Sequence, residues 1–551
     1  MPENAAWWQK STVYQIYPRS FADSNGDGIG DIAGIVSRLD YLRDLGIDVI
    51  WLSPIFASPM DDNGYDISDY QDIAPEFGTL DDFDRLVAEA RKRGIGILLD
   101  LVVNHTSDEH RWFRDARTAR DAPLRDFYIW RDPAPDGGPP TDLKSVFGGP
   151  AWTLDPLTGQ YYLHQFSRRQ PDLNWDNPDL RAEIYRMMNW WQDRGIAGFR
   201  MDVIDLIGKD VDKGITADGP RLHDYLREMH RSTFGGRDLL TVGEAWSATP
   251  ESALLYSGRD RGELSMVFQF EHVTQQWHET WGKWQPKPFD LVAFKRVIDR
   301  WQLGLADDGW NSLFWGNHDL PRAVSKYGDD GQYRVESAKM LATVLHFLRG
   351  TPYVYQGEEI GMTNVPFQRI GQYRDIETLN MYEEHLAAGR SAAAFMAGAR
   401  ANSRDNARTP MQWSAEPHGG FTTGTPWIEA NPNHDRINVA AQSDDDASIL
   451  ACYRRLIGLR KTLPVMQTGR YAPHLSDHPA VMAYERLLDG ERIVVLANFT
   501  GADVHLDLPD ALKGTGKVLI ANYPRSGDLG ATLTLAPFEA FAIAFDSKPT
   551  G

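Results

Sequence analysis

The sequence predicts an α/β fold: a (β/α)8 barrel of the TIM type, a subdomain inserted after its third strand, and a C-terminal all-β sandwich domain. Three observations carry this expectation. Short apolar, β-branched runs alternate with longer amphipathic stretches through most of the chain. Residues 104–171 interrupt that rhythm with a stretch rich in Pro, Gly, Asp and aromatics. Beyond residue 468 the runs alternate with period two and no helical stretch separates them.

The first strand run is Val13–Tyr17. Ile32, Ile35, Leu39, Leu42 and Leu45 then recur at helical spacing, and Val49–Leu52 forms a second run. A helical pattern over Phe83–Arg93 leads to a third, Ile97–Val103. This βαβαβ order implies a parallel sheet covered on both faces. After the break, a helix at Leu180–Arg194 precedes Gly198–Val203. Further runs lie at Leu239–Gly243, Met266–Phe270, Ser312–Gly316 and Tyr353–Tyr355, making eight strand candidates, the number that closes such a barrel. The break is too long for an ordinary loop. The expected domains are therefore a barrel over 1–103 and 172–468, an inserted subdomain over 104–171, and a β domain over 469–551.

Composition excludes several functions. Lys and Arg number 57 against 77 Asp and Glu, a net charge of −20, which opposes binding to nucleic acid or to an anionic membrane surface. No run of about 18 apolar residues is present to span a bilayer. The single cysteine, Cys452, allows neither an intramolecular disulfide nor a cysteine-based zinc site. With no recognisable leader at the N-terminus, the expectation is a cytoplasmic enzyme acting as a monomer. Aromatics are abundant, with 18 Trp, 21 Tyr and 23 Phe.

Polar residues gather where the predicted strands end, the face on which such barrels do chemistry. Strand 3 ends in Asp100, Asn104 and His105; strand 4 holds Arg200 and Asp202; strand 5 ends at Glu244; strand 7 runs into Asn317, His318 and Asp319. One strand-end Asp is ordinarily a helix cap. Four such ends meeting at one mouth are not explained that way. Carboxylates, histidines and an arginine, without a cysteine or a serine elbow, suit cleavage of a glycosidic bond, which needs a proton donor and a carboxylate facing the anomeric carbon. Arg200 lies two positions before Asp202, on the same strand face, and is expected to keep Asp202 ionised. Glu244 follows an apolar run and precedes Trp246, so its pKa is expected to rise, as an acid requires.

The strings DLVVNHTS (100–107), GFRMDV (198–203), GEAW (243–246) and NHD (317–319) resemble the conserved regions of glycoside hydrolase family 13, the α-amylase family. QIYPRSFADSNGDGIGD (15–31), GYDISDY (64–70), QPDLNW (170–175) and SRDNARTPMQW (403–413) extend the resemblance over nearly the whole chain. It is nearest to the oligo-1,6-glucosidase and dextran glucosidase branch. The resemblance implies a retaining mechanism with Asp202 as nucleophile, Glu244 as acid/base and Asp319 as the third carboxylate. It implies that His105, His318 and Arg200 grip hydroxyls or the nucleophile, and that Tyr65, Phe166 and Gln170 complete the wall of the glucose site. Asp66 and Arg408 are expected to pair and cap the non-reducing end, with Arg404 nearby. Trp246, Lys283 and Glu377 fall where that branch contacts the leaving sugar.

Val203, directly after the implied nucleophile, resembles members that cut α-1,6 or isomaltulose-type bonds. Only 42 positions separate Asp202 from Glu244. The resemblance to dextran glucosidases, which are short here, implies a more open pocket that accepts isomaltotriose and longer chains. Sucrose isomerases share the valine. Their arginine-rich RLDRD run is replaced here by FQFEHVTQQWHETWGKW (268–284). Broader α-glucosidases, acting on α-1,4 bonds or sucrose with transglucosylation, are the alternative within the family, and transporter-associated heavy chains that lack the carboxylates are the non-catalytic one. Glu271, beside His272, reads as structural. Finally, Asp23, Asn25, Asp27 and Asp31 alternate with glycines like the start of a Ca²⁺ loop, although the twelfth position is Gly34 and no EF-hand follows. The family resemblance implies a structural Ca²⁺ on Asp23, Asn25, Asp27, the Ile29 carbonyl and Asp31, which Mg²⁺ could replace.

Overall fold

The computed structural model describes residues 5–545; residues 1–4 and 546–551, which the expected first and last domains include, lie outside the described residues. Eight parallel strands form the core: β1 (Val13–Ile16), β2 (Val49–Leu52), β3 (Gly96–Leu101), β4 (Gly198–Met201), β5 (Leu240–Glu244), β6 (Met266–Phe268), β7 (Ser312–Leu313) and β8 (Thr351–Tyr355). Their order is β6-β5-β4-β3-β2-β1-β8-β7, and a parallel bridge between Val267 and Asn311 closes the ring. Every residue of β1, β2, β4, β5 and β8 is buried, as a sheet with both faces covered demands. β4 approaches β5 so closely that a Cβ on Gly198 would stand 1.7 Å from the Leu240 carbonyl oxygen.

The helices begin where capping residues allow. Asn177 caps Pro178–Asp193 by accepting from the amides of Asp179 and Leu180, and Thr79 with Asp82 makes a capping box for Leu80–Lys92. The helix expected across Ile32–Leu45 is two helices, Ile32–Ser37 and Leu39–Leu45, meeting at Arg38.

Between β3 and β4 the chain builds a small antiparallel sheet of Trp130–Arg131, Gln160–Leu163 and Trp152–Asp155, with Gln160–Leu163 in the middle. Phe113 stacks on Trp130 of this sheet and meets Tyr162 edge-on, and the Arg125 guanidinium lies 3.4 Å from the Trp130 ring centre. Bridges His105–Asp172 and Tyr128–Leu173 draw the two ends of this excursion together. That closure hangs the insertion over the end of β3.

The C-terminal region is a five-stranded antiparallel sheet ordered Arg470–His474, Val481–Leu488, Glu491–Asn498, Ala540–Phe545 and Lys517–Ala521. Its residues alternate by period two. Met482, Tyr484, Ile493 and Val495 join the main barrel core, whereas Val481, Ala483, Val494 and Leu496 pack with Leu506, Leu533 and Leu535 of a small outer sheet. Lys295 clamps this region to the barrel by donating to the carbonyls of Leu475, His478 and Val481 at 2.6, 2.7 and 2.9 Å.

Candidate active site

The strand ends converge as expected, and Arg200 is the hub. It is fully buried on β4 and donates through Nη1 to Asp202 at 2.7 Å and Asp100 at 2.9 Å, and through Nη2 to Glu244 at 2.5 Å. Asp100 also accepts from Tyr65 Oη at 2.9 Å and Trp51 Nε1 at 3.1 Å, so it fixes the guanidinium from behind. Glu244 accepts further from Trp246 Nε1 at 3.0 Å and the Val203 amide at 3.2 Å. A cavity of about 260 Å³ opens over Asp202, Glu244 and Asp319.

The turn after β4 departs from the sequence expectation. The strand stops at Met201, so Asp202 and Val203 are not part of it. Val203 is left-handed, with φ 34° and ψ 47°, and starts the 3-10 turn Ile204–Leu206. A β-branched residue is strained there by about 1–3 kcal/mol. The strain aims the Val203 amide at Glu244 and places its side chain, 7 % exposed, in the cavity wall. Strand suitability therefore does not account for this valine.

The expected pairing of Asp66 with Arg408 is overturned. Asp66 is buried away from the cavity and accepts from Ser58 Oγ and the amides of Asp61 and Asp62, so it shapes a turn. Arg408 sits behind Asp319 and donates to it at 2.7 Å. The pair that walls the cavity is Asp62 with Arg404, at 3.1 Å. Arg404 also holds Asp375 at 2.6 Å and reaches Asp319 at 3.4 Å. Gln170 supports this pair from outside by donating to Asp62 at 3.1 Å. Asp62 was missed although it stands two positions before the quoted GYDISDY string; Asp61, Asp62 and Asp66 lie close together in sequence, and nothing local prefers one of the three.

The remaining expected residues divide between wall and support. Tyr65, His105, Phe166, Trp246, Lys283 and Glu377 line the cavity. His105 Nε2 is 3.1 Å from the Tyr65 carbonyl and 3.3 Å from Gln170 Nε2. His318 lies under Tyr65, the rings stacked at 5.2 Å, and its Nδ1 meets Gln15 at 2.8 Å. Lys283 and Glu377 neutralise each other at 2.6 Å. Trp246 is 36 % exposed and stacks on Phe270 at 3.8 Å, offering one face outward. Phe147 and Trp277 add aromatic wall that the sequence did not single out. Glu271 binds Arg300 and Trp301, outside the cavity.

Burial sets the titration of the carboxyls. It pushes Asp202 and Glu244 each up to about 7, and Arg200 offsets only part of that because it is shared among three acids. The expectation that Arg200 keeps Asp202 ionised is therefore corrected: the two carboxyls compete for charge as a pair. Asp319 differs. Burial works against its charge, but His318, Arg404, Arg408 and Arg200 together hold its carboxyl far below the usual range. Since burial also pushes His318 down to about 3, its ring is neutral near pH 7 and the arginines carry the effect.

In the Asp23–Asp31 loop, Asp23 accepts from the amides of Asn25, Gly26 and Gly28 and from Thr422 Oγ1. Asn25 and Asp27 each accept from the amide two positions on, and Asp31 caps the following helix through Gly34. Gly28, at φ 93°, lets the loop lie against the Thr425 carbonyl, where a Cβ would come within 1.8 Å. The donors are all oxygens, which suits a hard cation. Among the described residues no three His, Cys, Asp or Glu side chains converge as a ready cluster.

An eight-stranded barrel with buried carboxylates around one arginine at its C-terminal mouth defines a glycoside hydrolase of the barrel type. Residues 15–469 match the family described as alpha amylase, catalytic domain, and residues 474–542 match the maltogenic amylase C-terminal domain. The chain belongs to the α-amylase family and is a glycoside hydrolase of the α-glucosidase type. It is 58 % identical to the palatinase of Erwinia rhapontici, over 98 % of each chain. It is 53 % identical to an oligo-1,6-glucosidase of Halalkalibacterium halodurans, over 97 % of this chain and 98 % of that one. A glucan 1,6-alpha-glucosidase of Streptococcus pneumoniae is 52 % identical, over 98 % and 99 %. Among solved structures, isomaltulose synthase from a Klebsiella species superposes with a TM-score of 0.95 at 40 % identity, covering 98 % of this chain and all of that one.

Proposed function

We propose that this enzyme is a retaining, exo-acting α-glucosidase that releases glucose from the non-reducing end of α-1,6-linked gluco-oligosaccharides. The observation that carries the reading is the single guanidinium of Arg200 spanning Asp202 and Glu244 inside a pocket walled by the Asp62–Arg404 pair. One bridging group keeps the two carboxyls close, as retention requires.

In this reading one proton resides on the pair near neutral pH. Glu244 holds it and gives it to the leaving oxygen as an Asp202 oxygen bonds to the anomeric carbon and the glycosidic bond breaks. Glu244, now ionised, takes a proton from water, whose oxygen displaces Asp202 and restores both groups. Asp319, permanently charged, accepts from sugar hydroxyls and favours the positive charge that develops on the ring. Asp62 and Arg404 take the outer hydroxyls of the terminal glucose, while Trp246, Lys283 and Glu377 receive the next sugar.

The α-1,6 preference is supported by Val203, whose methyls stand in the cavity wall, and by relatives named for 1,6-bonds. A methyl-sized difference in such a wall is worth about 1–3 kcal/mol between substrates, roughly 10–200-fold. The second reading is sucrose isomerisation, favoured by the likeness to isomaltulose synthase and opposed by the 268–284 segment, which lacks the expected arginine-rich run. A panel of isomaltose, isomaltotriose, dextran, isomaltulose, maltose, sucrose and trehalose separates them. The expected result is kcat/KM on isomaltose and isomaltotriose at least about tenfold above maltose and sucrose. A preference for maltose, or isomaltulose accumulating from sucrose, contradicts it.

We further propose that Asp23, Asn25, Asp27, the Ile29 carbonyl and Asp31 hold a Ca²⁺, or Mg²⁺ in its place, that stiffens the loop and takes no part in the reaction. The alternating oxygens support this, since a carboxylate oxygen can accept an N–H and still face a cation. Cytoplasmic residence belongs to the same proposal, supported by the lone Cys452.

A further inference from the structure

Asp205 lies in the 3-10 turn Ile204–Leu206, directly behind Val203. It borders the same cavity as Asp202 and Glu244, yet is only 1 % exposed. Its Oδ2 accepts from the Ser247 amide at 3.2 Å and the Ser247 hydroxyl at 2.7 Å. Ser247 stands three positions after Glu244 and next to Trp246. Its Oδ1 is buried without a hydrogen-bond partner. Buried carboxylate oxygens are ordinarily satisfied, so this one calls for an account, and none of the roles derived above uses it.

We propose that Asp205 is a positioning residue for the acid: it ties the loop after β5 to the turn after β4, and its charge keeps the proton on Glu244 to higher pH. This deepens the functional reading above and rests on Glu244 being the acid.

The groups around the two carboxyls fix the direction of the effect. Glu244 is bonded to Arg200, which also holds Asp202 and Asp100, and it shares the cavity with Asp202, Asp205 and Asp319. Asp205 faces Glu244, Asp218 and Tyr256, and Lys209 from the following turn. Lys209 is spent on Asp172 at 3.1 Å and Asn104 at 2.6 Å. No cation therefore contacts Asp205 among the described residues. Burial pushes Asp205 up to about 7, beside Glu244 at about 7. Two neighbouring buried carboxyls resist ionising together, so each one's charge prolongs the other's protonation. Removing the Asp205 charge must lower the pH at which Glu244 loses its proton.

The test is the pH dependence of kcat/KM on isomaltose for Asp205→Asn, which keeps an oxygen for Ser247 and drops the charge. The alkaline limb is expected to move to lower pH by about half a pH unit or more. The loss at high pH is expected to be smaller on p-nitrophenyl α-glucoside, whose leaving group needs little protonation. Ser247→Ala is the second variant. It loosens the loop beneath Trp246 and is expected to raise KM for isomaltose at least threefold, with the limb not moved to lower pH. An Asp205→Asn profile that superimposes on the parent's, with melting temperature unchanged, overturns the electrostatic role. An unchanged KM in Ser247→Ala overturns the tie. If Glu244→Gln retains full turnover, the acid itself is misassigned, which is a different failure.

Discussion

Asp62 and Asp66 are four positions apart and both buried, but only Asp62 faces the cavity and only Asp62 is held by Arg404. Asp62→Ala removes the charged contact to the sugar that the proposed function assigns to it and leaves Arg404 underpaired. A hydrogen bond to a charged group is worth about 1.5–3 kcal/mol, so kcat/KM on isomaltose is expected to fall about 10–150-fold or more. Asp66→Ala strands three donors on a turn at a cost of about 1–3 kcal/mol, and its effect is expected in the melting temperature. Steady-state kinetics and thermal melts on the two variants check this; the reverse pattern restores Asp66 to the pocket. The contrast also shows what a single sequence can give at this scale. Asp202, Glu244 and Asp319 were legible because strand ends in a barrel share one mouth. Asp62 was not, because it comes from a loop whose fold brings it to Arg404 across 342 positions.

At the scale of elements, the proposed bond preference rests on the turn after β4. Its strained Val203 serves two ends, with the amide on Glu244 and the methyls in the wall. Val203→Thr keeps the β-branch and the volume while replacing a methyl by a hydroxyl. It is expected to leave the melting temperature within a few degrees and to cut the isomaltose-to-maltose ratio of kcat/KM by about tenfold, roughly 1.4 kcal/mol. An unchanged ratio removes Val203 from the account of specificity. Periodicity located β4, but it carried the strand through Val203. A β-branched residue after an apolar run reads as strand, and nothing local announces a left-handed turn. The alternation beyond residue 468 was legible because two apolar cores, one on each face of the sheet, enforce it.

On the scale of the whole molecule, the chain is a barrel with one end crowned by the insertion and one flank sealed by the β domain, to which Lys295 is bound through three carbonyls. The Asp23–Asp31 loop follows β1 and is tied to Thr422 and Thr425 from far along the chain. The proposed cation would join distant segments there, so its removal is expected to act on stability. Chelation by EDTA is expected to lower the melting temperature by several degrees and to release about one equivalent of Ca²⁺ or Mg²⁺ per chain. No bound metal and no change in melting would end that proposal. The surplus of acids that the composition displays is mostly solvated surface, whereas Asp62, Asp202 and Glu244 at the candidate site are buried.

The most direct test of the central claim is trapping the covalent intermediate. A 5-fluoro-α-glucosyl fluoride slows the second step more than the first, so the enzyme accumulates with sugar attached. Peptide mapping by mass spectrometry is expected to find one glucosyl unit on Asp202, and Glu244→Gln is expected to slow hydrolysis of isomaltose much more than attack on the fluoride. A label on any other residue, or no label together with β-glucose as the first product from isomaltose, contradicts the account.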